Sequence, residues 1–211
     1  MCMEIKHELK CSTWNISEKG EMKMASTFGA VQLAHEFLAA QVKPGDICID
    51  CTAGRGNDTA FLCSLVGESG KVYSFDIQQE AVESTRMLLE ERGFTDIACV
   101  IHGSHEFADR YIGEGEAAAA VFNLGWLPGG DHSVHTQTAS TITAIEKCLK
   151  LLKSGGVISL SIYYGRDTGF EEKDAVLNYI SKLPVGEFTV IVSEFTNRPN
   201  CPPISVRIYK S

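Results

Sequence analysis

Apolar positions along the chain switch repeatedly between a period of about two and a period of about 3.6, the marks of strands alternating with helices. Ser26 is placed to N-cap a helix running to about Gln41, with Val31, Ala34, Phe37 and Leu38 on one face. Pro44-Gly45 ends it. Ile47–Cys51 reads as strand one and Asp58–Val66 as the following helix; Lys71–Asp76 is strand two. Gln78–Arg92 carries Ala81, Val82, Thr85, Leu88 and Leu89 at helical spacing, with Gly93 as its stop. Ile97–His102 is strand three, with a short helix from Ser104, and Ala117–Leu124 is strand four. A Gly-rich loop precedes a helix to Leu152, closed by Gly155-Gly156. Val157–Tyr164, a helix over Glu171–Leu183, and two successive strands, Phe188–Phe195 and Ile204–Tyr209, complete the series.

This order predicts an α/β fold, a mostly parallel seven-stranded sheet with helices on both faces and an antiparallel hairpin at its end. Ligands in such sheets sit at the C-terminal ends of the strands. Residues 1–24 break the pattern. Glu4, Glu8, Glu18 and Glu21 alternate with Lys6, Lys10, Lys19 and Lys23. We expect an N-terminal extension over 1–24 and one domain over 25–211.

Composition narrows the function classes. The chain has 211 residues, 44% hydrophobic and 22% charged, a globular balance. The N-terminus lacks the apolar core of a secretory signal, and no apolar run approaches the ~20 residues of a membrane span. A cytoplasmic protein with reduced cysteines is expected. Cys48 and Cys51 fall within one strand, where side chains three apart face opposite ways, so they do not read as a metal or redox pair. A net charge of −8 excludes a non-specific nucleic-acid coater; an RNA substrate needs a local basic patch or a surface shared across an oligomer.

The chemistry lies at the strand ends. Strand one runs into Asp50-Cys51-Thr52-Ala53-Gly54-Arg55-Gly56-Asn57-Asp58-Thr59, and strand two ends in Asp76, before Gln78. Gly54 and Gly56 let the backbone approach a ligand, and the helix start at Asn57 and Asp58 favours a negative group. Asp76 stands where ribose hydroxyls are gripped in nucleotide-binding sheets. Position 59 is threonine rather than a third glycine, and Asp50 would repel a pyrophosphate. S-adenosylmethionine suits the turn better than NAD: its carboxylate fits the helix start, its ammonium and sulfonium fit Asp50, and its ribose fits Asp76. Acid, glycine turn, acid is the pattern of a Rossmann-like class I methyltransferase. Ser104 and His105, after strand three, stand where the adenine is expected, or are a helix cap and an exposed ring.

Strand four ends in Asn123-Leu124-Gly125-Trp126-Leu127-Pro128-Gly129-Gly130-Asp131. This loop resembles the Asn/Asp-Pro-Pro-aromatic loop of amino-directed methyltransferases. Asn123 can accept an N–H bond from a nitrogen nucleophile, Trp126 can stack on a base, and Asp131 or bulk water can take a proton. The pairs His102/His105 and His132/His135 have no matching ligands at metal spacing, so no metal is expected.

DCTAGRGNDT, FDIQ, GSHE, FNLGWLPGGD, IYYG and the late NCPP together resemble the YtqB/MnmM family of small bacterial methyltransferases, over about residues 24–211. Arg55 and Asn57 depart from the Asn and His of that family's turn. The resemblance implies methyl transfer from S-adenosylmethionine to the exocyclic amine of 5-aminomethyl-2-thiouridine at the tRNA wobble position, with the tRNA anticodon region as partner and a homodimer as a possible assembly. An rRNA or small-molecule amine methyltransferase, or a non-catalytic nucleotide-binding module, are the competing readings. The candidate tRNA contacts are Lys147, Lys150 and Lys153 on one helix, and Arg198, Arg207 and Lys210 near the end.

Overall fold

The structure, a computed structural model, describes residues 14–16, 22–24, 28–125, 138–165 and 169–211. Ser26, Trp126, Asp131, His132 and His135 lie outside the described residues. A separate two-stranded antiparallel sheet pairs β1 (Trp14–Ile16) with β2 (Met22–Met24). The other described residues form one α/β unit. In chain order it contains α1 (Ala30–Gln41), β3 (Ile47–Asp50), α2 (Asn57–Val66), β4 (Lys71–Asp76), α3 (Gln79–Glu91), β5 (Ala98–His102) and a 3-10 turn at His105–Arg110. Then come β6 (Ala117–Leu124), α4 (Thr138–Leu151), β7 (Leu152–Ile162), α5 (Gly169–Ile180), β8 (Phe188–Ser193) and β9 (Ile204–Lys210).

The large sheet has seven strands in the order β5-β4-β3-β6-β7-β9-β8. Strands β3 to β7 run parallel, and β9 is antiparallel to both β7 and β8. The strand order reverses between β3 and β6, which makes their C-terminal ends the switch point where such sheets bind ligands. Strand β6 is the Ala-rich apolar run, buried on both faces as a central parallel strand must be. One face is packed by α1, α2 and α3 through Phe37, Leu38, Leu62, Val66 and Leu89; the other by α4 and α5 through Ile145, Cys148, Val176 and Ile180. Full burial of each such Leu or Phe contributes about 1.5–3 kcal/mol.

Two expectations need correction, and that for Cys48 and Cys51 holds. Val31 points outward at 43% exposure; the buried stripe of α1 is Ala30, Ala34, Phe37 and Leu38. Gly155-Gly156 does not stop a helix. The helix ends at Leu151 and the glycines lie inside β7, where the register with β6 slips between Ala117 and Ala119. Gly156 is needed there because a Cβ would stand 2.8 Å from Lys153 O. Cys48 and Cys51 face opposite sides of the sheet, each in a different core cluster. All six described cysteines are free thiols, and Cys51 Sγ lies 3.7 Å from Cys148 Sγ.

Candidate active site at the strand ends

The turn after β3 is built on glycine conformations. Gly54 and Gly56 have φ of 54° and 79°, the left-handed region. At Gly56 a Cβ would also meet the Thr85 backbone of α3 at 2.9 Å, so the turn and α3 pack at a distance only glycine permits. Gly56 starts α2 without a side-chain cap, so the first-turn N–H groups are not taken by a capping side chain. Asp58 alone is acidic in that turn.

Asp76 shapes the turn from β4. Its Oδ2 accepts Gly54 N–H and its Oδ1 accepts Gln78 N–H, both at 2.9 Å. A carboxylate has about four acceptor sites, so two remain for hydroxyl donors. Gln78 itself is the N-cap of α3. Asn57 is exposed and, with Arg55, Glu80, Glu83 and Met87, lines an acidic groove of about 820 Å³ between α2 and α3.

Asp50 corrects the sequence reading. It was expected to face a ligand's positive groups, yet it is fully buried. Its oxygens accept the Thr59 hydroxyl at 2.6 Å and Thr52 N–H at 3.1 Å. Burial, then the charge of Asp58, pushes its carboxyl up to about 7. Asp50 therefore sets the turn from beneath. Thr59, at the place of a third glycine, supplies this buried bond and contacts Ser74 Oγ at 2.8 Å.

The end of β6 is tied to the same turn. Asn123 N–H donates to Thr52 Oγ1 at 2.8 Å, and Asn123 Nδ2 donates to Asp58 Oδ2 at 2.6 Å. The other Asp58 oxygen accepts from His35 Nε2 of α1 at 2.6 Å. Asp58 thus faces the end of β6, with both carboxylate oxygens engaged by side chains. His35 also stacks on Phe61 of α2, with ring centroids 3.8 Å apart. Tyr163, just past β7, lies against Gly125, and its phenol is pushed upward by burial and then by Asp58. His35 and Tyr163 were missed in the sequence. Nothing in local spacing marks them; only the packing of α1 and β7 brings them to Asp58 and to the end of β6. Trp126 and Asp131, the other predicted members of this loop, lie outside the described residues.

On the opposite face, Ser104 is a helix cap: it accepts Glu106 N–H and donates to Glu106 Oε2. His105 is not an exposed ring. Its Nδ1 donates to Cys51 O at 2.7 Å, and its buried Nε2 has no partner. Burial lowers its pKa, so Nε2 is a neutral, unpaired acceptor.

The expected basic residues of α4 are divided between the two ends of the sheet, with Lys147 beside the turn that carries His105. Helix α4 runs back along the parallel strands, so its last turns recede from the strand ends. Lys147 bonds Asp109 and Glu106 O, Lys150 pairs with Glu146, and Lys153 pairs with Asp46, beside the start of β3. Lys210 bonds the carbonyls of Leu149 and Leu152, and Arg207 lies over Phe37. Arg198 is on the site's side, in the β8–β9 turn, stacked over Phe195 and bonded to Phe28 O. That turn also holds Asn200 and Cys201 at φ of 63° and 49°.

Residues 72–209 match the family model described as "Putative rRNA methylase". A chloroplastic tRNA (mnm(5)s(2)U34)-methyltransferase of Arabidopsis thaliana is 36% identical over 182 residues, 82% of this chain; the chain spans 66% of that relative's length. A solved structure from Clostridium thermocellum, described as a "putative rRNA-methylase", shares 43% identity at a TM-score of 0.86, covering 89% of this chain and 100% of that one. A "putative methyltransferase" from Streptococcus mutans, in complex with SAH, shares 40% identity at a TM-score of 0.79, with the same coverage of 89% and 100%. With its seven-stranded class I methyltransferase fold and a match over most of its length, the chain belongs to the family described as "Putative rRNA methylase".

Proposed function

We propose that this chain transfers the methyl group of S-adenosylmethionine to an exocyclic amine of tRNA, the aminomethyl nitrogen of 5-aminomethyl-2-thiouridine at the wobble position. The observation that carries the reading is the convergence, at the switch point of the sheet, of a glycine turn gripped by Asp76 with an asparagine amide held at the end of β6. The printed activity of the Arabidopsis relative and the SAH in the Streptococcus mutans structure support it.

The residues fit the cofactor. The start of α2 at Gly56, with no capping side chain, suits its carboxylate. Asp76 has acceptor capacity left for ribose hydroxyls. His105 Nε2, buried and unpaired, suits the adenine amine. Gln78, Ser104, Asn57 and Asp50 act on the geometry of the two turns. When bound, the cofactor supplies an activated methyl on a sulfonium. The chain's own task is then positioning: Asn123 accepts an N–H of the amine and aims its lone pair, and Trp126 stacks on the base. Asp131 or water takes the proton. Arg198 serves the RNA, and a homodimer would double such contacts on a chain of net charge −8.

The test is incubation with methyl-labelled S-adenosylmethionine and three acceptors: tRNA carrying the aminomethyl modification, tRNA lacking it, and total small metabolites. Label confined to the first, recovered as the methylaminomethyl nucleoside, is expected. Label in metabolites, or in tRNA without the modification, overturns the reading.

A further inference from the structure

We propose that His35, on α1, is a positioning residue for methyl transfer: acting through Asp58, it holds the Asn123 amide in the one orientation that admits an amine nucleophile. The proposal rests on the amine reading above. It begins from hydrogen-bond logic. A carboxylate only accepts, so the atoms facing Asp58 must both be donors: Nε2–H of His35 at 2.6 Å and Nδ2–H of Asn123 at 2.6 Å. The two flips of an asparagine amide have nearly the same shape, and only partners choose between them. Asp58 chooses here. With Nδ2 bound to Asp58, the Asn123 carbonyl oxygen is turned to the other side of the amide.

That choice matters for a nitrogen nucleophile. A neutral primary amine has two N–H bonds and one lone pair. A carbonyl facing it accepts an N–H and leaves the lone pair free. The flipped amide would present N–H instead, donate to that lone pair and block attack. The transfer balances as follows. The nitrogen lone pair forms the C–N bond, the C–S bond breaks with its pair kept by sulfur, and the surplus proton on nitrogen passes to the acceptor named above, Asp131 or water.

His35 contributes the rigidity. An isolated aspartate in the first turn of α2 can rotate away from Asn123. His35 takes its second oxygen, and the ring is itself fixed by stacking on Phe61 with planes 8° apart, on the same face of α2. Its side chain is 28% exposed, so the hydrogen bond is not required for core burial. The carboxylate is thereby clamped between two helices and a strand end.

The experiment uses single-turnover methylation of tRNA bearing the aminomethyl group, with cofactor binding by calorimetry. His35→Phe keeps the stack and removes the donor. His35→Gln restores an N–H near the Nε2 position. We expect both variants to melt within a few degrees of wild type and to bind cofactor within about twofold. His35→Phe should lose roughly 10- to 100-fold in the methylation rate with KM little changed, and His35→Gln should regain most of it. In an Asn123→Ala background, His35→Phe should cost nothing further. A wild-type rate for His35→Phe, equal losses in both variants, or additive losses with Asn123→Ala overturn the proposal. Failure of wild type to methylate this tRNA would instead overturn the substrate reading, a separate outcome in the same assay.

Discussion

Thr52 and Asn123 stand 71 residues apart in the chain and meet in one hydrogen bond, the hydroxyl of the first accepting the backbone N–H of the second at 2.8 Å. This bond joins the cofactor-side turn to the strand end that would hold the acceptor. Thr52→Val keeps the shape and leaves that N–H unpaired, which costs about 1–3 kcal/mol. Urea unfolding should show the loss, and methyl transfer should slow; Thr52→Ser should restore both.

Asp76→Ala removes the acceptor of Gly54 N–H and Gln78 N–H as well as the proposed ribose contact. Hydrogen bonds to a charged group are worth about 1.5–3 kcal/mol, so cofactor affinity should fall at least about tenfold by calorimetry. Asp76→Asn keeps an acceptor for one backbone bond and should fall less.

Gly56→Ala forces a side chain into the left-handed region and against the Thr85 backbone at 2.9 Å. Left-handed backbone alone costs an L residue about 1–2 kcal/mol. The variant should lose at least that much stability in chemical denaturation, and cofactor binding with it.

Asp50 gives the protein an unusual pH response. Its carboxyl is raised from 3.8 to about 7, chiefly by burial. Between those values the folded chain holds a proton that the unfolded chain has released. Its contribution to stability is therefore present at low pH and lost as pH rises from about 4 to about 7. The slope from one proton is at most about 1.4 kcal/mol per pH unit. Asp50→Asn should flatten melting temperature against pH across this window relative to wild type.

Substituting single cations should separate the two ends of the molecule. Lys150 lies near the end of α4, paired with Glu146. Lys150→Glu should leave KM for tRNA unchanged. Arg198→Ala should raise KM and weaken its dependence on salt, by about one phosphate contact.

The fold was legible because period and punctuation agreed. Lys71–Asp76 and Ala117–Leu124 have the bounds read from the sequence, and the hairpin pair follows from two strands without a helix between them. Gly155-Gly156 misled because two glycines after a helix resemble a stop, whereas here they serve a bulged strand start. The site was half legible. Glycine turns and strand-end acids leave local signatures, so Gly54, Gly56, Asp76 and Asn123 could be found. Asp50 was found but misplaced, because burial is a tertiary quantity. His35 could not be found: its partner is 23 residues away on another helix, and no spacing rule links them.

Strand β9 lies between β7 and β8, although β8 is made first. During synthesis the outer edge of β7 and the whole of β8 must wait, unpaired, until residues 204–210 arrive to bridge them. The nascent chain then carries an open edge on β7 and a wholly unpaired β8, a template for pairing with other chains. Premature termination shortly before Ile204 would yield an aggregating product rather than a slightly smaller enzyme, and ribosome-associated holdases would find their target at β7 and β8.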